Sequence, residues 1–259
     1  MSRQRLSGWG RTAIATCDVQ TPTTPEEVAS LLHRGSVMSP RGLGRSYGDA
    51  AQLSGGIVLD NSGFGDIGPI DEKGVVTVGA GVSIDRLLAV SIPQGWFVPV
   101  TPGTRQVTMA GAVAADVHGK NHHVDGSFAN HVLAMTLVTP TGIFQITPDN
   151  NPDLFWATAG GMGLTGVITS VTLRMLAIST DQVSVDTERF HNIDEVMAEM
   201  LARDHLYRYS VAWVDCMMSG RRMGRAILTR GDHVAADRSG SAQLRAPRPP
   251  RLTIPMDAP

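Results

Sequence analysis

Short apolar runs alternate with helix-like stretches over most of the chain. The apolar runs predict strands, several of them buried, at residues 37–40, 56–60, 74–81, 131–139, 143–147 and 167–173. Helices are predicted where an apolar pattern follows a capping residue or an early proline, as at Thr24 with Pro25, at Ser83 and at Pro152. Because short strands and helices alternate, the pattern predicts an α+β fold.

A second α+β unit is predicted beyond residues 178–180. Residues 181–188 alternate like a strand, and residues 209–215 and 224–230 have strand character. Between them, residues 193–203 predict an amphipathic helix whose apolar face carries Ile193, Val196, Met197, Met200 and Leu201. Residues 237–259 are rich in Pro, Arg, Ala and Ser and add no closing element, so the unit is predicted to be incomplete; a disordered basic tail is the alternative.

Bulk composition excludes several classes of protein. With 259 residues the chain has room for one large domain or two ordinary ones, and its net charge of −2 gives no support for a nucleic-acid partner. No apolar run reaches the roughly 18 residues of a membrane span, and the basic start has no apolar segment of a Sec signal. No cysteine or histidine spacing predicts a metal site.

The centre of the chain, residues 101–123, reads TPGTRQVTMAGAVAADVHGKNHH. Its small residues permit close backbone approach to a flat ligand, and exposed amides in such a stretch can bind an anion. The His118–His123 cluster then places cationic and proton-carrying groups beside the bound molecule. We predict that this stretch forms the floor of a cofactor site.

A glycine-rich loop at residues 41–49, RGLGRSYGD, suits a phosphate cradle. Glycines free backbone amides, two arginines supply guanidinium groups, and a serine and a tyrosine supply hydroxyls. A glycine-rich surface turn between strands explains the same composition, and both interpretations stay open on composition alone.

Residues 161–166, GMGLTG, match the spacing of a dinucleotide fingerprint, but their context is reversed. The fingerprint needs a strand before it and a helix after it, whereas here a helix-like segment precedes and a strand follows. We therefore reject a nicotinamide-type site and expect these glycines to bring a turn close to a ligand or another strand.

Taken together, the segments at residues 41–49, 102–118 and 160–168 resemble the flavin-binding domain of the vanillyl-alcohol-oxidase type, also called the p-cresol-methylhydroxylase (PCMH) type. The resemblance implies an α+β, PCMH-type FAD-binding domain over residues 1–180, built from two α+β subdomains of about 1–100 and 101–180. FAD would lie between them. A partial substrate-binding domain with a Pro/Arg-rich end would occupy residues 181–259.

The same resemblance implies the residues that hold FAD. The loop would wrap the pyrophosphate, the small residues would lie under the cofactor, His118 would face the isoalloxazine, and the backbone at Val167 and Ile168 would hold the adenosine end. No covalent link to flavin is expected. The implied cofactor-binding residues are Pro40, Arg41, Gly42, Leu43, Gly44, Arg45, Ser46, Tyr47, Gly48, Asp49, Ala50, Gly103, Thr108, Met109, Ala110, Gly111, Ala115, Asp116, Val117, His118, Val167 and Ile168.

Within that family, residues 9–12 and 155–158 extend the likeness to oxidases of a lipid-linked phosphoribose, which serve arabinan precursor synthesis for the mycobacterial-type cell wall. The resemblance implies hydride transfer from a sugar 2′-hydroxyl carbon to flavin, with a short-chain reductase as partner to complete an epimerisation. His118, Lys120 and Tyr47 are the implied catalytic residues. The implied location is the cell envelope without an export signal, with the cytoplasm as the alternative.

The chain has no counterpart for the lysine and the tyrosine that the C-terminal part of those oxidases supplies, so it is expected to be C-terminally truncated. Two alternatives stay open. One is a sugar or aldonolactone oxidase of the same fold, and the other is an FAD-binding remnant without turnover.

Overall fold

The computed structural model describes residues 2–33, 35, 37–236 and 244–248, which form strands in four sheets. The strands are β1 (Ser2–Ser7), β2 (Ile14–Gln20), β3 (Met38–Arg41), β4 (Ile57–Asp60), β5 (Val75–Gly79), β6 (Trp96–Phe97), β7 (Val132–Thr139), β8 (Gly142–Ile146), β9 (Val167–Arg174), β10 (Leu176–Ala177), β11 (Val183–Phe190), β12 (Tyr209–Val214) and β13 (Ala226–His233). The helices are α1 (Pro25–Leu32), α2 (Ile84–Ser91), α3 (Met109–Ala114), α4 (His122–Asp125), α5 (Pro152–Thr158) and α6 (Ile193–Arg203). Short 3-10 turns occupy Asn61–Gly63, Ile92–Gln94, Phe128–His131, Asp204–Leu206 and Gly220–Arg222. The predicted α+β fold is confirmed.

The predicted helix starts at Thr24 and Ser83 are present, and their side chains make the cap bonds. Thr24 Oγ1 accepts from the Glu27 amide at 3.2 Å, and Ser83 Oγ accepts from the Arg86 amide at 3.1 Å. Each bond satisfies one of the amides that a helix leaves without an internal partner at its first turn. The two caps therefore set where α1 and α2 begin.

The first sheet has the order β1-β2-β4-β3, with β1 antiparallel to β2 and the β2–β4 and β3–β4 pairs parallel. Strands β1 and β2 were not predicted. In β2 the buried side chains of Ala15, Cys17 and Val19 alternate with polar residues, so the strand signal of period two was present in the sequence. In β1 most residues are exposed, and a polar edge strand carries no such signal.

The second sheet has the order β5-β9-β7-β8 and is antiparallel throughout. The predicted hairpin of β7 and β8 is present, closed at the Thr139–Gly142 pair. The main hydrophobic core runs from Val28 to Ile178 and packs helices against this sheet. The chain passes from the first sheet to the second between Asp60 and Val75. The subdomain division near residue 100 stays a prediction.

The third sheet has the order β11-β13-β12 and is covered on one face by α6. Here the predicted apolar face of α6 needs correction. Val196 is buried with Ile193 and Met200 beside it, but the side chains of Met197 and Leu201 are 53% and 85% exposed. The core-facing stripe is narrow because the sheet below it offers only a small apolar cluster. The predicted Pro/Arg-rich end lies outside the described residues, apart from 244–248.

None of the helices in the described part of the chain has both the length and the apolar character needed to span a bilayer.

Candidate functional site

A cavity of about 850 Å³ lies between the glycine-rich loop after β3, helix α3 with the segments flanking it, and the start of β9. Its volume is typical of a site for a small molecule or a cofactor. The side chains and backbone that line it are those of Trp9, Pro40, Arg41, Gly42, Leu43, Gly44, Arg45, Ser46, Tyr47, Gly48, Asp49, Ala50, Ala51, Asn61, Pro102, Gly103, Thr104, Val107, Thr108, Ala110, Gly111, Ala114, Ala115, Val117, His118, Met162, Gly163, Gly166 and Ile168.

The glycine-rich loop offers free backbone donors to this cavity. The amides of Leu43, Gly44, Ser46 and Gly48 donate no hydrogen bond to any residue in the described part of the chain. The Trp9 amide donates to the Ser46 carbonyl at 2.7 Å and so ties the loop to the end of β1. Backbone amides held in this way, without partners of their own, form a concave anion-binding surface.

Arg41 adds a cation to the same wall. Its Nη1 donates to the Ala51 carbonyl at 2.8 Å and its Nη2 donates to the Ser7 carbonyl at 3.0 Å. Burial lowers the pKa of this guanidinium, because the charged form loses hydration that two carbonyls only partly replace. A negatively charged ligand in the cavity would therefore compensate a partly buried positive charge.

Helix α3 corrects the prediction that the small-residue stretch supplies exposed amides. The Met109 amide donates to the Val82 carbonyl at 2.8 Å, the Ala110 amide to the Ala80 carbonyl at 3.1 Å, and the Gly111 amide to Thr108 Oγ1 at 3.1 Å. These donors are consumed within the fold, so they are closed to an anion. The small side chains instead let the helix approach the strands closely, and the free donors lie on the loop opposite.

His118 follows α3 after a tight turn. Asp116 has a φ of 38° and its Oδ1 accepts from the Ala129 amide at 2.9 Å, which holds the turn in place. The His118 backbone then pairs with Ser127, and its ring centroid lies 5.8 Å from that of His122. His118 thus lines the cavity beyond the C-terminal end of α3.

The structure brings most of the predicted site residues to the cavity. These are residues 40–50, Gly103, Thr108, Ala110, Gly111, Ala115, Val117, His118 and Ile168. Their contact with a cofactor stays a prediction. Tyr47 lies at the rim, and its side chain is 79% exposed.

Four predicted residues do not line the cavity. Met109 is fully buried in the core, and the Asp116 side chain is used by its own turn. Val167 is buried because successive side chains of a strand point to opposite faces, so Ile168 takes the cavity side. Lys120 is exposed outside the cavity, and its carbonyl accepts from the Ser210 amide at 2.8 Å.

Ten lining residues were not among the named site residues, although several lie in segments that carried a signal. Pro102, Thr104, Val107 and Ala114 belong to the stretch predicted to form the floor of the site, and Trp9 belongs to a segment of the resemblance. Met162, Gly163 and Gly166 belong to the motif that was expected to bring a turn close to a ligand or strand, and Gly163 does pack against the Pro40 ring. Asn61 carried no signal, since it reaches the cavity only because β4 ends beside β3. The remaining one is Ala51.

The segment after His118 is fastened to the third sheet. Arg208 Nη1 donates to both carboxylate oxygens of Asp125, at 2.8 and 2.9 Å, and Asn121 Nδ2 donates to Asp125 Oδ2 at 2.6 Å. Tyr209 Oη lies 3.1 Å from His233 Nε2 at the same junction. Burial lowers the pKa of His233 and raises that of Tyr209 to about 12. The third sheet therefore holds the histidine segment that borders the cavity.

Most residues that line this cavity fall within the part of the chain that matches a known family. Residues 19–147 match the family described as FAD binding domain. Decaprenylphosphoryl-beta-D-ribose oxidase of Mycolicibacterium smegmatis is 42% identical over 265 residues, covering 97% of this chain and 58% of that protein. An uncharacterized protein in the mprA 5′ region of Streptomyces coelicolor is 38% identical over 179 residues, covering 66% of this chain and 48% of its own length.

An uncharacterized oxidoreductase, ORF5 in the fasciation locus of Rhodococcoides fascians, is 29% identical over 164 residues, covering 61% of this chain and 37% of that protein. The chain thus spans between 37% and 58% of the length of these relatives.

Proposed function

We propose that the chain is an FAD-dependent oxidoreductase acting on CH–OH groups, with FAD as its cofactor. The match of residues 19–147 to the FAD binding domain family and the 42% identity to an oxidase support this proposal. The observation that carries the proposal is the cavity of about 850 Å³, whose wall combines His118 with loop amides that have no partner among the described residues. The matched residues 19–147 include both the loop that supplies these amides and His118.

The residues present fit FAD. The amides of Leu43, Gly44, Ser46 and Gly48, with Arg41 beside them, are donors for the two phosphate groups. The small α3 residues leave room for a flat ring system. Since the α3 amides are already bonded, the loop carries the anion-binding role, and we propose non-covalent binding with the flavin ring toward His118.

We propose a lipid-linked phosphoribose as the substrate, oxidised at its 2′-hydroxyl to the 2′-keto form. When bound, FAD supplies a hydride acceptor for the carbon that bears this hydroxyl, and the hydroxyl proton passes to a general base. His118 at the cavity wall would orient the hydroxyl, and Tyr47 at the rim would contact the sugar. Lys120 lies outside the wall, where its exposed cation would hold the substrate phosphate.

The proposal extends to partner and location. A ketone at the 2′ position calls for a reductase to return the hydroxyl with inverted configuration, and a short-chain reductase would complete the epimerisation. The similarity to the Mycolicibacterium smegmatis oxidase supports a proposed role in the synthesis of arabinan precursors for the cell wall. We place the reaction at the cell envelope, with the cytoplasm as the alternative.

The cofactor is tested by purifying the chain, recording its visible spectrum, and then denaturing and pelleting it. We expect a yellow protein that releases its colour to the supernatant. A yellow pellet would mean a covalent bond and would contradict the non-covalent proposal. A colourless protein that takes up no added FAD would overturn the function.

The reaction is tested on the flavin-loaded protein without oxygen. A phosphoribose carrying a short lipid should bleach the flavin absorption, and its 2′-deoxy analogue should leave the absorption unchanged because it lacks the reacting hydroxyl. Equal bleaching by both compounds, or bleaching by neither, would refute the substrate assignment. His118→Ala should retain the yellow colour and slow the bleaching.

A further inference from the structure

One buried side chain at the cavity wall has an unused hydrogen-bond acceptor. Asn61 is 2% exposed, and its Oδ1 accepts no hydrogen bond from any described residue. Its Nδ2 donates to the Ile168 carbonyl at 3.4 Å, a long bond between residues that both line the cavity. Because an unsatisfied buried carbonyl is destabilising, native proteins seldom keep one without a reason.

The orientation of the Asn61 side-chain amide follows from its contact with the Ile168 carbonyl. Turning the amide over would place Oδ1 against the Ile168 carbonyl, so that two acceptors would face each other. The orientation that gives Ile168 a donor is therefore the stable one, and it leaves Oδ1 in need of a donor. The diester pyrophosphate of FAD has only acceptor oxygens at neutral pH, so the missing partner is a hydroxyl or an amino group.

The place of Asn61 along the cavity narrows the choice of partner. Asp60 pairs with Arg41, so the next residues, Asn61 and Gly42, lie side by side where β4 and β3 end. A Cβ at Gly42 would meet Thr108, the cap of α3, so Asn61 lies at the N-terminal end of that helix. His118 lies beyond the other end, and six residues of helix separate the two ends by about 9 Å.

This separation places Asn61 away from the proposed flavin ring position. The donors that FAD carries beyond its ring system are the ribityl hydroxyls, the adenosine ribose hydroxyls and the adenine amino group. We propose that Asn61 Oδ1 accepts a hydrogen bond from the adenosine half of FAD, and so contributes to selection of the dinucleotide over FMN. The inference rests on the proposed function, because it requires FAD in this cavity.

The test compares the two halves of the cofactor on the wild-type apoprotein and on Asn61→Leu, a variant of similar size without the amide. FAD affinity is measured by titration, and ADP and FMN are then measured as competitors of FAD. We expect Asn61→Leu to weaken FAD and ADP by about tenfold, the effect of one lost hydrogen bond, with FMN unchanged within about twofold. The apoprotein Tm should change little, because the variant removes both the buried oxygen without a described partner and the long 3.4 Å bond to the Ile168 carbonyl, and these two effects oppose each other.

Ser91→Ala is the matched control. Ser91 is fully buried, its Oγ also lacks a partner among the described residues, and it lies outside the cavity. Its removal should leave the affinities for FAD, ADP and FMN unchanged.

The outcomes separate this inference from the proposed function. Unchanged FAD affinity in Asn61→Leu would overturn the inference, and so would weaker binding of FMN in place of weaker binding of ADP. A lower apoprotein Tm together with an equal loss of affinity for ADP and for FMN would also overturn the inference, since that pattern indicates a structural role for Asn61. Failure of the wild-type protein to bind FAD would refute the proposed function itself, whatever the variant does.

Discussion

Alanine at position 42 is expected to disturb the site through a single contact. A Cβ built on Gly42 would overlap Thr108 Oγ1 and would lie 3.1 Å from Thr108 Cγ2. Thr108 is 3% exposed, so its side chain has no solvent to move into. The same Oγ1 accepts from the Gly111 amide at 3.1 Å, and displacing it breaks the cap of α3.

The magnitude follows from the bonds affected. Loss of a helix cap costs about 1 kcal/mol. Leaving the partly buried Gly111 amide without its partner costs about 1 kcal/mol or more, and part of that cost is the same effect. We therefore expect Gly42→Ala to lower the free energy of unfolding by about 2 kcal/mol, which for a chain of this size is a drop in Tm of about 4 to 8 °C. Gly48→Ala is the control in the same loop, because its added Cβ meets no atom within 4 Å.

A double-mutant cycle with Thr108→Ala isolates the contact. Thr108→Ala alone should lose only the cap, about 1 kcal/mol. In the double variant the overlapping atoms are gone, so the two losses should not add, and the coupling should be about 1 kcal/mol or more. Denaturation of the apoprotein gives the stability terms, and FAD titration of the same variants reports whether the wall has moved.

Two outcomes would refute this reasoning. If Gly42→Ala unfolds at the same temperature as Gly48→Ala, the loop and α3 are not in the contact described. If the double variant loses the sum of the two single losses, Gly42 and Thr108 act independently.

Two further predictions concern the junction between the third sheet and the histidine segment. Lowering the pH from about 7.5 to about 5.5 should lower the Tm. In the unfolded chain residue 233 takes up a proton near the ordinary histidine pKa of about 6.5, whereas buried His233 in the folded protein has a depressed pKa and stays neutral. His233→Gln should reduce this pH dependence, and an unchanged pH profile of the Tm would contradict the assignment. Arg208→Met should lower the free energy of unfolding by about 1 to 3 kcal/mol, because it leaves Asp125 without its cation. The control Arg203→Gln removes an exposed ion pair on α6 and should change the free energy of unfolding by less than about 0.5 kcal/mol. Equal effects of the two variants would contradict the role of Arg208 in holding the histidine segment to the third sheet.

Local patterns in the sequence were sufficient where a residue's neighbours along the chain decide its structure. The caps at Thr24 and Ser83, the β7–β8 hairpin and the helix before the 161–166 motif are all present where the pattern predicts them. The glycine-rich loop also lines the cavity, and its role as a phosphate cradle stays a prediction. In each case the deciding interactions span only a few residues, so the letters alone carry the information.

The tertiary structure alone decided which backbone groups are free. The sequence of residues 109–111 suggested exposed amides. In the structure these amides donate to the carbonyls of Ala80 and Val82, just after β5, and to Thr108 Oγ1. Asn61 gave no signal, yet it meets Ile168, 107 positions away, at the cavity wall. The partner of an amide or a carbonyl depends on which distant segment folds against it, and no pattern among chain neighbours encodes that meeting.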